Sequence, residues 1–144
     1  MEKDLSETEA KAWRAFLYAY ARVVPKLDDE LTLAEGLTLN QYEVLLWLSR
    51  SSGGAMRMSD LASRIVLSPS GVTRAVDQLE KKGLVERVVC SSDRRGYLAT
   101  LTKKGRVAFR KASKVHVRGI REHFISHLSA SELKSLGSSL EQIA

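Results

Sequence analysis

Apolar residues along this chain return every three or four positions in six stretches and alternate in two others, which predicts six helices and one pair of strands. The first helix, over residues 6–34, carries Trp13, Phe16, Leu17, Tyr20, Val24, Leu27 and Leu31 at near-heptad spacing. Ser6 and Glu9 form a capping box at its start, with Leu5 just ahead, and Gly36 closes the region. Pro25 predicts a bend, because it has no N–H to offer the carbonyl four residues back. A second capping box, Thr38 with Gln41, is stapled by Leu37 and Tyr42. It opens a helix to about Arg50 that buries Val44, Leu45, Trp47 and Leu48, and residues 51–54 read as a loop. Towards the C-terminus, Thr102 caps a helix expected over residues 103–127, apolar at Val107, Ala108, Val115, Ile120, Phe124 and Leu128. A third box, Ser129 with Glu132, opens the last helix, whose stripe is Leu133, Leu136, Leu140 and Ile143. The initial helix and the last two carry more apolar surface than one small domain covers, so they are expected to form a shared bundle between two subunits.

Between those flanks lies the informative stretch. A short helix over residues 59–65, capped by Ser59, buries Leu61, Ala62 and Ile65 and is too short to stand alone. The next helix is expected over residues 68–82. Ser68 is placed to cap it, Pro69 sits where a missing N–H costs nothing, and Lys81, Lys82 and Gly83 mark its end. Val72, Ala75, Val76 and Leu79 make one apolar stripe, and the other side presents Ser70, Thr73, Arg74, Asp77 and Gln78. The hydroxyls of Ser68, Ser70 and Thr73 suit close approach to phosphate. Arg74 can fork onto guanine O6/N7 and Gln78 onto adenine N6/N7. A merely solvated amphipathic helix would show the same pattern, so its neighbours decide between the two readings.

A hairpin follows, with strands over residues 86–90 and 97–101 and a polar tip carrying Asp93, Arg94 and Arg95. Two adjacent arginines on a protruding tip repel each other unless an anion is expected. Asp93 is placed to hold one of them and leave the other for a narrow minor groove. Charge is segregated in the same direction. Residues 64–111 hold twelve Lys or Arg against four acids, a net +8 that exceeds the +6 of the whole chain, while the first fifty residues hold six against nine, a net −3. With a pI near 9.6, this is the footprint of a polyanion-binding face.

The run Leu-Ser-Pro-Ser-Gly-Val-Thr-Arg-Ala-Val-Asp-Gln-Leu-Glu-Lys-Lys-Gly-Leu-Val-Glu-Arg, followed by Ser-Asp-Arg-Arg-Gly-Tyr-Leu-Ala-Thr-Leu-Thr, resembles the MarR family of bacterial winged helix-turn-helix regulators. The hairpin pattern of Asp93, Arg95, Leu101 and Thr102 is its more specific half. The resemblance implies a mainly α fold with a small β-hairpin. A winged helix-turn-helix domain would span about residues 38–102, and dimerisation helices about 6–34 and 103–144. It further implies a homodimer on a pseudo-palindromic operator of double-stranded DNA, repressing until a small ligand relieves it, with Arg95 paired to Asp93 to brace the wing and Arg94 in the minor groove. Aromatic or phenolic effectors are implied too, in a crevice that Trp13, Phe16, Tyr20, Tyr42 and Trp47 are candidates to line. Packing is the competing account of each of these rings.

Length and composition fit this picture. The chain has 144 residues, 44% hydrophobic and 28% charged, which suits one domain with a real core. No apolar run approaches a membrane span and the N-terminus is unlike a signal peptide, so a cytoplasmic protein is expected. The single cysteine rules out an internal disulfide, and no enzyme motif appears. His116, His123 and His127 are expected to share a narrow arc of one helix, but a further metal ligand is missing, so neither metal nor cofactor is assigned. Cys90 near Arg87 and Arg94 raises a redox reading, against which a small wing-filling residue is the simpler one. Sequence-tolerant DNA binding without an effector, a metal- or redox-responsive regulator, and a protein-interaction module that has lost DNA stay as alternatives.

Overall fold

A computed structural model describes residues 4–66, 68–90 and 96–144. The wing-tip residues Asp93, Arg94 and Arg95 therefore lie outside the described residues. The described residues form six α-helices and a small antiparallel sheet: α1 (Glu7–Glu35), α2 (Leu39–Arg50), β1 (Ala55–Arg57), α3 (Met58–Arg64), α4 (Val72–Lys81), β2 (Val85–Val89), β3 (Tyr97–Leu101), α5 (Lys103–His123) and α6 (Ala130–Glu141). All three capping boxes form, at Ser6, Thr38 and Ser129. Helix α1 continues through Pro25 and ends at Gly36, whose φ of 66° is the left-handed conformation glycine takes without strain.

Three boundaries differ from expectation. Helix α3 starts one residue early, at Met58 after Arg57, and no side chain caps it; Ser59 is already inside. Ser68 does not cap α4. A 3-10 turn over Pro69–Gly71 intervenes, closed by the Gly71 N–H on the Ser68 carbonyl at 3.0 Å, and α4 begins at Val72 without a side-chain cap. Helix α5 stops at His123, because Phe124 leaves helical geometry (φ −132°, ψ −63°) before a 3-10 turn over Ile125–His127. His123 and His127 are thus not one turn apart on a single helix.

The sheet has the order β1-β3-β2, so β3 is central. The hairpin register pairs Arg87 with Ala99 and Val85 with Leu101, and β1 adds along β3 a third strand that the sequence pattern does not predict. The core is one cluster. Leu31, Val44, Leu45, Leu48, Leu61, Val76, Leu79 and Val85 are fully buried in it, joined by Ala112 and Val115 of α5. Helix α2 lies at its centre, touching α1, α3, α4, α5 and the sheet. Its Tyr42 ring stacks on Phe109 at 5.7 Å, lies 4.5 Å from the His116 ring, and points its hydroxyl at Ser113 (3.3 Å).

Outside this core the helices are bare. The N-terminal half of α1 is exposed, including Trp13, Phe16, Leu17, Tyr18 and Tyr20, and α6 buries none of its residues. None of the described helices is long and apolar enough to cross a membrane.

His116 carries a pH dependence. Burial disfavours its charged form and lowers its pKa, and its Nδ1 is buried without a partner. The unfolded chain therefore takes up this proton more readily than the folded one. The stability held at neutral pH is lost as pH falls below about 6.5. Chemical denaturation of the wild type and of His116→Phe from pH 8 to pH 5 is expected to show the wild type losing stability more steeply on the acid side.

Candidate nucleic-acid interface

Helix α4 has two unlike faces. Val72, Ala75, Val76 and Leu79 are buried, while Thr73, Arg74, Asp77 and Lys81 are exposed and Ser70 is exposed in the turn before them. Gln78 is half-buried, with its Oε1 accepting from Gln41 Nε2 at 2.7 Å, so it does not stand free beside Arg74. Ser68 is half-buried too. Its hydroxyl lies over Gly71, where a Cβ would come within 2.8 Å of it. Of the described candidates, Ser70, Thr73 and Arg74 share the open surface, and Ser68 and Gln78 lie at its edge.

The orientation of this face is fixed from three sides. Arg87 of β2 reaches back to Asp77 (2.5 Å) and Glu80 (2.9 Å) and also donates to the Thr73 carbonyl (3.4 Å). Burial works against the Arg87 charge, but Asp77 and then Glu80 outweigh it and raise its pKa. The pairing also offsets part of the negative charge of Asp77 and Glu80 on a surface that would otherwise repel phosphate more strongly. At the far end of α4, Gly83 takes φ 72° and the Leu84 N–H returns to the Leu79 carbonyl at 2.9 Å. Lys104 donates to the Lys82 carbonyl (2.9 Å), a cation at the negative end of the helix. Thr102 donates to the Gly83 carbonyl (2.7 Å) while capping α5 at Gly105 (2.9 Å). Gly105 permits this junction, because a Cβ there would meet the Leu84 carbonyl oxygen at 2.1 Å. On the third side Lys82 crosses to the α1–α2 junction and donates to the Gly36 carbonyl (2.5 Å).

Comparison with known proteins decides the family. The MarR family profile matches residues 37–97, which take in α2 through the start of β3. The solved structure of AbsC, a MarR family transcriptional regulator from Streptomyces coelicolor, is 39% identical with a TM-score of 0.89, covering 99% of this chain and 95% of that one. Sco3205 of the same organism, a MarR family regulator solved in complex with DNA, is 31% identical with a TM-score of 0.91, covering 99% of this chain and 89% of that one. The transcriptional repressor Rv2887 of Mycobacterium tuberculosis is 31% identical over 129 residues, which are 88% of this chain and 91% of that protein.

The chain belongs to the MarR family. It is a DNA-binding transcriptional regulator, and MarR family members are not enzymes. In this MarR protein α3 and α4 are the helix-turn-helix, and β2 and β3 form the wing.

The remaining candidates fall elsewhere in the fold. The five aromatics divide among three settings. Trp13, Phe16 and Tyr20 are exposed on α1, Tyr42 is buried against α5, and Trp47 is half-buried under the guanidinium of Arg64 at 5.2 Å from its ring centre. Cys90 is buried at the end of β2, its N–H on the Gly96 carbonyl at 3.0 Å. His123 bonds Glu30 of α1 through Nε2 at 2.5 Å, and His127 borders a cleft with Arg22, Lys26 and Phe124. Glu30, Glu122 and His123 bring ligand atoms within 4.8 Å of one another, a set that already satisfies itself in part through the Glu30–His123 bond.

Sequence reasoning counts Arg87 and Lys104 in the basic surface but does not show their bonds to α4, nor the one from Gln41, because each bond crosses to a different element. The Arg87 pairs give one test. Arg87→Met should cost about 0.5–1 kcal/mol in chemical denaturation, the range of a partly exposed ion-pair network. It should also weaken DNA binding by leaving Asp77 and Glu80 unpaired; binding equal to wild type would show that the clamp does not matter to DNA.

Proposed function

We propose that this regulator is a cytoplasmic homodimer that represses from a pseudo-palindromic operator and is released by a small ligand. The observation that carries the reading is the helix α4, which buries Val72, Ala75, Val76 and Leu79 and leaves Thr73 and Arg74 open beside a basic surface. Each subunit lays α4 in a major groove, with Arg74 forked onto a base edge and Ser70 and Thr73 against the backbone. Arg94 enters the flanking minor groove and Arg95 pairs with Asp93, as the family resemblance implies. Half-sites then lie roughly 10 bp apart.

Two features support a dimer. The exposed apolar positions on α1 (Trp13 56%, Phe16 48%, Tyr20 50%) and helix α6, none of whose residues is buried, are costly in a lone chain. They lie on elements other than those that carry the DNA-reading surface, so covering them leaves that surface open. Repression follows the name of Rv2887, and a reporter under the operator should rise when the chain is removed. A fall would make it an activator.

The ligand is small and aromatic in this reading, and it must bind better to the state whose two α4 helices are wrongly spaced for DNA. With Tyr42 buried and the α1 aromatics assigned to the partner, the five rings do not serve as one binding crevice. The reading predicts that Arg74→Ala costs about 1–3 kcal/mol of operator affinity and relaxes preference at one position of each half-site, measured by titrating single-base operator variants. An equal loss on every duplex would instead indicate sequence-tolerant binding.

A further inference from the structure

Gln41 is the one polar side chain buried among the described residues, 3% exposed, and its amide has only one orientation that satisfies its neighbours. Its Oε1 closes the α2 capping box by accepting from the Thr38 N–H (3.2 Å), and it faces the Lys82 ammonium at 3.5 Å. A backbone N–H and an ammonium only donate, so the oxygen must point at them. The NH2 group of Gln41 is thereby aimed at α4, where it donates to Gln78 Oε1 at 2.7 Å. Gln78 must in turn present its oxygen inward. Its own NH2 is what remains for the outer side of α4, on the face it shares with Arg74 one turn earlier.

We propose that Gln41 is a positioning residue that fixes the hydrogen-bonding polarity of Gln78, so that Gln78 reads the operator as a donor. This rests on α4 being the operator-reading helix. A free glutamine can fork onto adenine by donating to N7 and accepting from N6–H. With its oxygen turned inward onto Gln41, Gln78 presents its NH2 outward, which suits the acceptors of guanine, adenine N7 or thymine O4. Cytosine, which turns its N4–H2 donor into the major groove, is disfavoured. The specificity at this base is thus set by the cap of a different helix. The Thr38 N–H orients Gln41, and Gln41 orients Gln78.

The polarity can be inverted without changing side-chain size. Gln41→Glu still accepts from Thr38 and Lys82, but it offers Gln78 an acceptor, so Gln78 must turn its NH2 inward and its oxygen towards DNA. Gln78→Glu reaches the same outward acceptor from the helix itself, leaving Gln41 intact, and so reports even if Gln41→Glu folds poorly in a thermal melt.

The test is selection of bound duplexes from a random pool by wild type, Gln41→Glu, Gln78→Glu and Gln78→Ala. Wild type is expected to select against cytosine at one position of each half-site, by roughly threefold to tenfold, the worth of one hydrogen bond. Both glutamate variants should reverse that preference towards cytosine or adenine, and Gln78→Ala should flatten it. The inference is overturned if Gln78→Ala selects as wild type does, since Gln78 then reads nothing. It is equally overturned if Gln78→Ala flattens the position while well-folded Gln41→Glu leaves it unchanged. A wild type that enriches no motif would sink the sequence-specific reading itself, and this inference with it.

Discussion

Helix α4, the proposed DNA-reading helix, owes its shape to what lies behind it. Helix α4 is ten residues long, starts without a side-chain cap and follows a 3-10 turn, so on its own it would be marginal in water. Four buried side chains, Val72, Ala75, Val76 and Leu79, anchor it in a core centred on α2. Each large one contributes about 1.5–3 kcal/mol of burial, enough together to outweigh the missing cap. The apolar stripe therefore does two jobs. It folds α4, and by fixing which side faces inward it determines which residues face outward.

Polar contacts then fix the rotation that apolar packing leaves loose. Gln41 holds Gln78 from α2, Arg87 holds Asp77 and Glu80 from the wing, and Lys82 and Lys104 tie the end of α4 to the α1–α2 junction and the start of α5. Helix α2, strand β2, the α1–α2 junction and the start of α5 thus each have a polar hold on α4. A shift at α1 or α5, the helices that carry the exposed apolar surface or adjoin it, has a short route to α4 through Gly36 and Lys82. In the proposed dimer, that arrangement would let the spacing between two α4 helices respond to events in the shared helices.

How much of this was legible in the sequence depends on how local the cause is. The three capping boxes and the helical stripes of α1, α2 and α6 are read from residues within one or two turns, and they were placed within a residue or two. The strand β1 was not, because three residues carry no alternation and its partner β3 lies about forty positions on. Helix α4 was started too early, since Ser68 and Pro69 carry the marks of a helix start that the chain spends on a 3-10 turn. The break at Phe124 has no glycine or proline to announce it. It sets Phe124 and Leu128 beside Ala19 and Val23 of α1, a tertiary preference invisible locally. At the candidate site, the exposure of Thr73 and Arg74 on the outer face of α4 is legible from helical periodicity. The inward turn of Gln78 is not, because its cause sits thirty-seven residues away.

The central claim is that α4 is held ready by burial before it meets DNA, and hydrogen exchange of its amides tests that most directly. In the free protein, the amides of Val76 to Lys81 should exchange as slowly as those in the middle of α2, and a selected operator duplex should slow the exposed first turn further. Rapid exchange through α4 in the free protein, with α2 protected, would show a helix that forms only on binding and would contradict the account.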